Sequence, residues 1–170
     1  MVRKVVKYGD PILEQKCDLI TEFDTPELHK LVDDMFETMY SARGVGLAAP
    51  QVAVRKRLTV IDITAGEEGG ERIVLINPEI ISKEGTVIGE EGCLSIPGFR
   101  EDVKRAKKIR ARAQNVKGEF FELEGEDMLA RAIQHESDHL NGVLFLSYLS
   151  PLKRDLIRRK IKKLQKAGDW

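Results

Sequence analysis

The sequence contains few cysteines and no long hydrophobic run, and each absence excludes a class of protein. Two cysteines among 170 residues are too few for a disulfide framework, so a reducing cytoplasm is expected, where one cysteine is free to be a ligand or nucleophile. No stretch reaches the roughly 20 apolar residues that span a bilayer. The first seven residues are interrupted by charges, unlike a signal peptide. We therefore expect a cytoplasmic protein without a membrane partner.

The chain also lacks an excess of either charge, because 28 lysines and arginines match 28 aspartates and glutamates. No overall field attracts it to DNA or to a membrane surface, so any such attraction must be local. Apolar residues make up 42% of the chain, which is enough for an ordinary core. Because no internal repeat or linker divides the sequence, residues 1–170 are predicted to form a single domain.

Helical periodicity and end signals predict three helices. They lie at about residues 25–43, at about residues 126–141, and from Ser150-Pro151 onward. Thr25 followed by Pro26 is typical of a helix start, and the third helix begins with the same type of pair. Gly44 is predicted to end the first helix and Gly142 the second.

The middle of the chain is rich in strand-forming residues. Runs at 58–63 and 73–76 flank a turn, and residues 108–115 and 119–123 are predicted to form a hairpin. Helices and antiparallel hairpins without regular alternation of strand and helix predict the α+β class. The expected architecture is antiparallel or mixed sheets packed around the central helix, with an N-terminal and a C-terminal helix.

The central helix contains the run His135-Glu136-Ser137-Asp138-His139. Residues four apart project from one helix face, so both imidazoles can bind one cation, and Glu136 beside them can take a proton from bound water. The cation lowers the pKa of that water toward neutrality. The alternative is an exposed turn with two histidines by chance. It is disfavoured because two of only three histidines fall in this pattern, and because flanking apolar residues indicate a buried helix.

A catalytic site of this kind needs a third protein ligand and an open position for water. Cys93, in the segment Glu90-Glu91-Gly92-Cys93-Leu94-Ser95, is the strongest candidate for the third ligand. A thiolate binds zinc or iron(II) strongly, and the metal would deprotonate it. A buried cysteine with a purely structural role is the alternative, and the residues alone leave both possibilities open.

Three separated segments resemble the signature motifs of bacterial peptide deformylases. They are Gly44-Val45-Gly46-Leu47-Ala48-Ala49-Pro50-Gln51, Glu91-Gly92-Cys93-Leu94-Ser95 and Gln134-His135-Glu136-Ser137-Asp138-His139-Leu140. The motifs follow the order and spacing of that family, and the resemblance covers nearly the whole chain. It implies that the protein removes the formyl group from the N-terminal formylmethionine of nascent polypeptides and releases formate.

The resemblance also implies the metal and its ligands. Cys93, His135 and His139 match the metal ligands of the family, and Glu136 matches the general acid/base. Iron(II) is the metal expected in the cell, and zinc, nickel or cobalt is able to substitute. Metal-bound hydroxide is expected to attack the formyl carbon while Glu136 transfers the proton, finally to the leaving amine.

Further residues match positions that contact the substrate. The side-chain amide of Gln51 and the backbone N–H of Leu94 match the donors that stabilise the oxyanion. Val45, Gly46 and Arg100 are expected to bind the substrate, and residues 44–47 are predicted to pair with its backbone as an added strand. The alternatives are a plain loop after the first helix and, for Gln51, an exposed polar residue.

Two charged residues near the motifs remain. Glu91 is predicted either to hold a ligand imidazole or to pair with an arginine such as Arg105, a solvated glutamate being the alternative. Arg131 lies one turn before His135, where some members of the family carry an apolar residue. Its aliphatic stem is expected to pack against the protein while its charged head reaches solvent.

Residues 151–166 carry eight basic side chains against one acidic residue, Asp155. A solvated helix face is one explanation, and docking onto ribosomal RNA is the other.

Two other functions also fit part of the sequence. A zinc endopeptidase shares the two-histidine helix but gives Gln51 and Cys93 no role. A ribosome-binding module stabilised by metal is disfavoured because structural zinc sites usually have four protein ligands.

Overall fold

The computed structural model describes residues 1–170. It contains three α-helices and seven β-strands. The helices are α1 (Pro26–Ser41), α2 (Asp127–Leu140) and α3 (Pro151–Ala167). The strands are β1 (Gly46–Ala48), β2 (Leu58–Ile61), β3 (Ile73–Glu84), β4 (Val87–Cys93), β5 (Ile96–Arg105), β6 (Lys108–Gln114) and β7 (Phe120–Glu126). The predicted α+β class is confirmed. No helix combines the length and the apolar character needed to cross a membrane.

The strands are arranged in two antiparallel sheets. The larger has the order β1-β2-β3-β6-β7, and the smaller is the β4-β5 hairpin. Helix α2 packs across the larger sheet, where Ala130 and Ile133 share a buried cluster with Ile61 and Leu75. The predicted central helix therefore packs against the larger sheet, and β1 forms one edge of that sheet close to it.

The end of α1 differs from the prediction. The helix stops at Ser41, and the left-handed residue beyond it is Arg43, with φ of 56°, rather than Gly44. The N–H of Gly44 then donates to the carbonyl of Met39 at 2.9 Å, which closes the helix as in a Schellman motif. The glycine at position 44 instead allows a close approach of Leu94, because a Cβ there would lie 2.9 Å from Cδ1 of that residue.

The other predicted helix ends are confirmed. Gly142 follows α2 in the left-handed region, with φ of 74°, and a Cβ there would lie 2.7 Å from the carbonyl carbon of Glu14. Helix α3 begins as predicted, because the hydroxyl of Ser150 accepts a hydrogen bond from the N–H of Lys153 at 3.3 Å. These ends are local, so the sequence is sufficient to predict them.

The β4–β5 hairpin and the second half of β3 were not predicted. Both sequences are rich in charged residues, and that of the hairpin also in glycine. They lack the clean alternation that marks a half-buried strand. The hairpin instead packs its few apolar residues, such as Ile96 and Val103, on a separate core that contains Phe145 and Ile157. Tertiary packing therefore decided the conformation of this segment.

Candidate metal centre

The two histidines of α2 and the cysteine that ends β4 converge. The ligand atoms of Cys93, His135 and His139 all lie within 4.8 Å of one another. The sulfur of Cys93 is 3.4 Å from Nε2 of His139. The helix places the two imidazoles one turn apart, and the hairpin brings in the thiol from a distant part of the chain.

The chemistry of this group fits a divalent cation. A thiolate and two imidazoles suit zinc, iron(II) and related metals, and three protein ligands leave a further coordination position for water or substrate. Oε1 of Glu136 is buried and has no hydrogen-bond partner in the protein. Buried polar atoms normally have partners, and a water at such a cation would provide one.

Glu91 orients one of the imidazoles. Its Oε1 lies 2.8 Å from Nδ1 of His135, and Arg105 donates to both of its carboxylate oxygens, at 2.8 and 2.9 Å. Burial opposes ionisation, but the bonds from Arg105 and His135 outweigh it and lower the pKa of Glu91 to about 2. Glu91 therefore both holds the His135 imidazole and pairs with Arg105, the two roles that the sequence left as alternatives. It directs Nε2 of His135 toward the cation position.

Arg105 connects this group to the surface. It donates to Oδ2 of Asp138 at 2.7 Å, and its guanidinium lies over the ring of Tyr148, 4.4 Å from the centroid. The hydroxyl of Tyr148 donates to the same carboxylate oxygen at 2.7 Å. The sequence did not point to Asp138 or Tyr148, and the only signal was the position of Asp138 on the same helix, three residues after His135.

Glu136 is 4% exposed, and burial raises the pKa of its carboxyl to about 7. Gly46 lies directly against it, since a Cβ there would come within 2.5 Å of Oε2. The missing side chain of Gly46 thus leaves space for the Glu136 carboxylate. Any larger residue at this position would displace that carboxylate, so its effect on activity would not be limited to substrate binding.

Gln51 is 1% exposed, so it is not an exposed polar residue. Its Oε1 accepts from the N–H of Ala48 at 2.9 Å, which fixes the orientation of the amide. Its Nε2 then points at the site, 3.5 Å from the sulfur of Cys93 and 3.1 Å from Oγ of Ser95. Leu94 lies between Cys93 and Ser95 in the turn from β4 to β5. Ser95 was not singled out from the sequence, where nothing marks its contact with Gln51.

Strand β1 presents a free edge beside Glu136. The N–H of Asp62 donates to the carbonyl of Val45 at 2.9 Å, and Gly46 lies opposite Ile61 in the register. Because antiparallel pairs alternate in their bonding, the N–H and carbonyl of Gly46 face away from β2. The N–H and carbonyl of Gly46 are therefore open to a peptide.

Arg100 lies apart from the converging ligands, on the exposed surface of the hairpin. It is opposite Gly92 in the β4–β5 register, and its Nε is 2.5 Å from Oε1 of Glu90. A Cβ at Gly92 would lie 2.7 Å from Nη1 of Arg100, so the guanidinium lies over that glycine. Arg100 is thus at the rim of the site rather than inside it.

The expectation for Arg131 was wrong. Its side chain is only 13% exposed, and Nη1 lies 2.6 Å from Oε2 of Glu91 rather than in solvent. The guanidinium also donates to backbone carbonyls of β4 and β5. Nothing in the sequence indicates these acceptors, because they belong to the hairpin that was not predicted.

A partly buried thiol and two buried imidazoles, with a neighbouring carboxylate of raised pKa, define the site of a metal-dependent hydrolase. Residues 2–155 match the family model described as polypeptide deformylase, and the chain belongs to this family. The family predicted from the three motifs is therefore confirmed.

Individual relatives agree over nearly the full chain. A peptide deformylase of Acidobacterium capsulatum is 59% identical over 170 residues, which cover 100% of this chain and 99% of that protein. One from Thermodesulfovibrio yellowstonii is 48% identical, over 95% of this chain and 97% of the relative. The crystal structure of a peptide deformylase from Legionella pneumophila matches with a TM-score of 0.91 and 47% identity, over 99% of this chain and 98% of that one.

Proposed function

We propose that the protein hydrolyses the formamide bond of N-terminal formylmethionine in nascent polypeptides and releases formate. Membership of the deformylase family supports the substrate class. The observation that carries the proposal is the convergence of Cys93, His135 and His139 next to buried Glu136 and the free edge of β1. A purely structural metal site would need neither the carboxylate nor the open edge.

Cys93, His135 and His139 would hold a divalent cation, which when bound supplies a Lewis acid and lowers the pKa of water. Glu136 accepts the proton that this water loses, and a pKa of about 7 allows it to return the proton to the departing amine. Iron(II) is the proposed metal in the cell, with zinc, nickel or cobalt able to replace it. Because the substrates are nascent chains, we place the reaction in the cytoplasm.

Two neutral donors are proposed to stabilise the negative charge that develops on the formyl oxygen. One is the amide of Gln51, already oriented by its bond to Ala48. The other is the backbone N–H of Leu94, in the turn after Cys93. Donors that are fixed before reaction cost little reorganisation, and removing one typically raises the barrier by about 3 kcal/mol.

The substrate backbone is proposed to add to the free edge of β1. Gly46 would supply the main-chain partners, with Val45 beside it, and the formyl end would then lie next to Glu136, which packs on Gly46. Arg100 at the rim would contact the chain further from the formyl group. This arrangement requires an extended peptide with a free path along the edge.

The decisive assay measures formate released from formyl-Met-Ala-Ser by protein loaded with iron(II) under anaerobic conditions. We expect turnover of this peptide and none of the acetylated equivalent. The competing zinc endopeptidase function predicts instead that unformylated peptides are cut at internal bonds, which mass spectrometry of the products would detect. Absence of formate with fully loaded protein would refute the proposal.

The basic surface of α3 is proposed to contact ribosomal RNA. Ile157 and Ile161 are buried against the core, which leaves the basic residues of the helix facing outward. Phosphate contacts of this kind weaken as salt rises.

The double variant Lys160→Glu/Lys163→Glu is expected to bind ribosomes about tenfold more weakly than wild type, with a shallower dependence on salt. Sedimentation with purified ribosomes at several salt concentrations measures both effects. The variant Lys56→Glu/Lys117→Glu makes the same change in net charge at exposed sites outside α3. Equal binding by the two variants would show that α3 has no special role.

A further inference from the structure

The two halves of the metal centre belong to different parts of the fold. Cys93 is carried by the β4–β5 hairpin, whose strands pair only with each other, whereas His135 and His139 are carried by α2, which packs on the larger sheet. No strand pairing joins the hairpin to that sheet. Side-chain contacts between the hairpin and α2 therefore have a large part in fixing the distance between the thiolate and the imidazoles.

Arg131 makes four contacts of this kind from a single guanidinium. It donates to the carbonyls of Val87 at 3.1 Å and Gly89 at 3.3 Å on β4, and to that of Val103 at 2.9 Å on β5. It also donates to Oε2 of Glu91 at 2.6 Å. The planar guanidinium carries its five N–H donors in a fixed arrangement, so one side chain connects both strands to the helix.

The hairpin leaves space for this guanidinium at Gly89. A Cβ there would lie 3.0 Å from Nη2 and 3.1 Å from Cζ of Arg131, so a side chain at position 89 would press on the charged group. Because only 13% of the Arg131 side chain is exposed, water has little access to replace its hydrogen bonds if they are broken. The two residues are thus matched to each other across the helix–hairpin contact.

We propose that Arg131 is a positioning residue that holds the strand of Cys93 against the helix of His135 and thereby slows loss of the cation. The inference rests on the proposed metal centre and adds to it the residue that governs metal retention. Glu91 keeps Arg105 and His135 as partners when Arg131 is replaced. Replacement therefore loosens the connection without leaving a buried carboxylate unpaired.

The test measures how fast zinc-loaded protein releases its metal to a chromogenic chelator. Arg131→Met removes the donors and keeps much of the aliphatic volume, and Arg131→Lys keeps the charge but cannot span both strands. We expect both variants to release zinc about ten to a hundred times faster than wild type, the usual range for residues that orient metal ligands. The unfolding temperature of each metal-free protein is recorded in parallel.

Arg57→Met is the matched control. Arg57 also donates to α2 and its cap, through the carbonyl of Leu140 at 3.0 Å and Oδ1 of Asn141 at 3.1 Å, but it makes no hydrogen bond to the hairpin. We expect this variant to lose stability and to release zinc at the wild-type rate. Equally fast release from the Arg57 and Arg131 variants would mean that general destabilisation is the cause, and the inference would be overturned.

Gly89→Ala provides a second route to the same answer if Arg131→Met does not fold. The added methyl group should displace the guanidinium, and we expect faster zinc release with a smaller effect than in Arg131→Met. Release at the wild-type rate from either variant would overturn the role of Arg131. A wild-type protein that binds no zinc would instead refute the metal centre itself, which keeps the two failures distinct.

Discussion

Replacing Glu136 with glutamine is expected to reduce kcat/KM by about 10² to 10⁴ while the cation stays bound, since this is what positioned proton transfer typically contributes to the rate. Glutamine has nearly the same shape, so it preserves the close contact with Gly46. It cannot accept a proton from water or return one to the amine. Formate release and the metal content of the same preparation are measured together.

Glu90→Gln is the control for this experiment. Glu90 is an exposed glutamate in the hairpin that pairs with Arg100, so its replacement removes a carboxylate without touching the buried group. We expect near wild-type turnover of a short formylated peptide. A Glu136→Gln variant with more than about a tenth of wild-type activity would contradict the assigned role, because general acid–base catalysis accounts for a larger factor than that.

The second large effect is expected for Cys93→Ala, which should lose both the cation and the activity. The variant keeps two imidazoles, but two ligands hold a divalent ion far less firmly than three. We expect the affinity for zinc to fall by more than about a hundredfold, the upper range for residues that only orient ligands. Competition with a chelator of known affinity measures the change.

Cys17→Ala is the matched control because it removes the other cysteine. Cys17 is buried against Ala48 and Leu140, outside the converging ligands. Its replacement should lower the free energy of unfolding by a small amount and leave the zinc affinity unchanged. If Cys93→Ala bound zinc as tightly as wild type, the assignment of Cys93 as the third ligand would be wrong.

The sequence predicts part of this fold well because some of its signals are local. The starts of α1 and α3 follow from a capping residue and a proline, and Gly142 ends α2 through a conformation that glycine adopts easily. Arg43 shows the limit of such signals, since it rather than Gly44 takes the left-handed conformation. Gly44 was misread because its small size serves a contact with Leu94, which no local pattern reveals.

The residues of the candidate site also divide into those that local spacing predicts and those that it does not. The spacing of His135 and His139 alone places two imidazoles on one helix face, whereas Cys93 was joined to them through the resemblance between motifs. The periodicity of the sequence did not indicate that a hairpin carries the thiol, because the few apolar residues of this hairpin pack on a separate core. The spatial group of three residues is a property of the tertiary structure.

By itself the sequence determined the family, the two-histidine helix and the local ends of the helices, since these depend on residue types at short or fixed spacing. Only the tertiary structure decided that Gly46 makes room for the Glu136 carboxylate and that Arg131 joins α2 to the hairpin. Both contacts depend on backbone atoms of segments distant in sequence. Their positions follow from how the helix and the two sheets pack, which no pattern along the chain records.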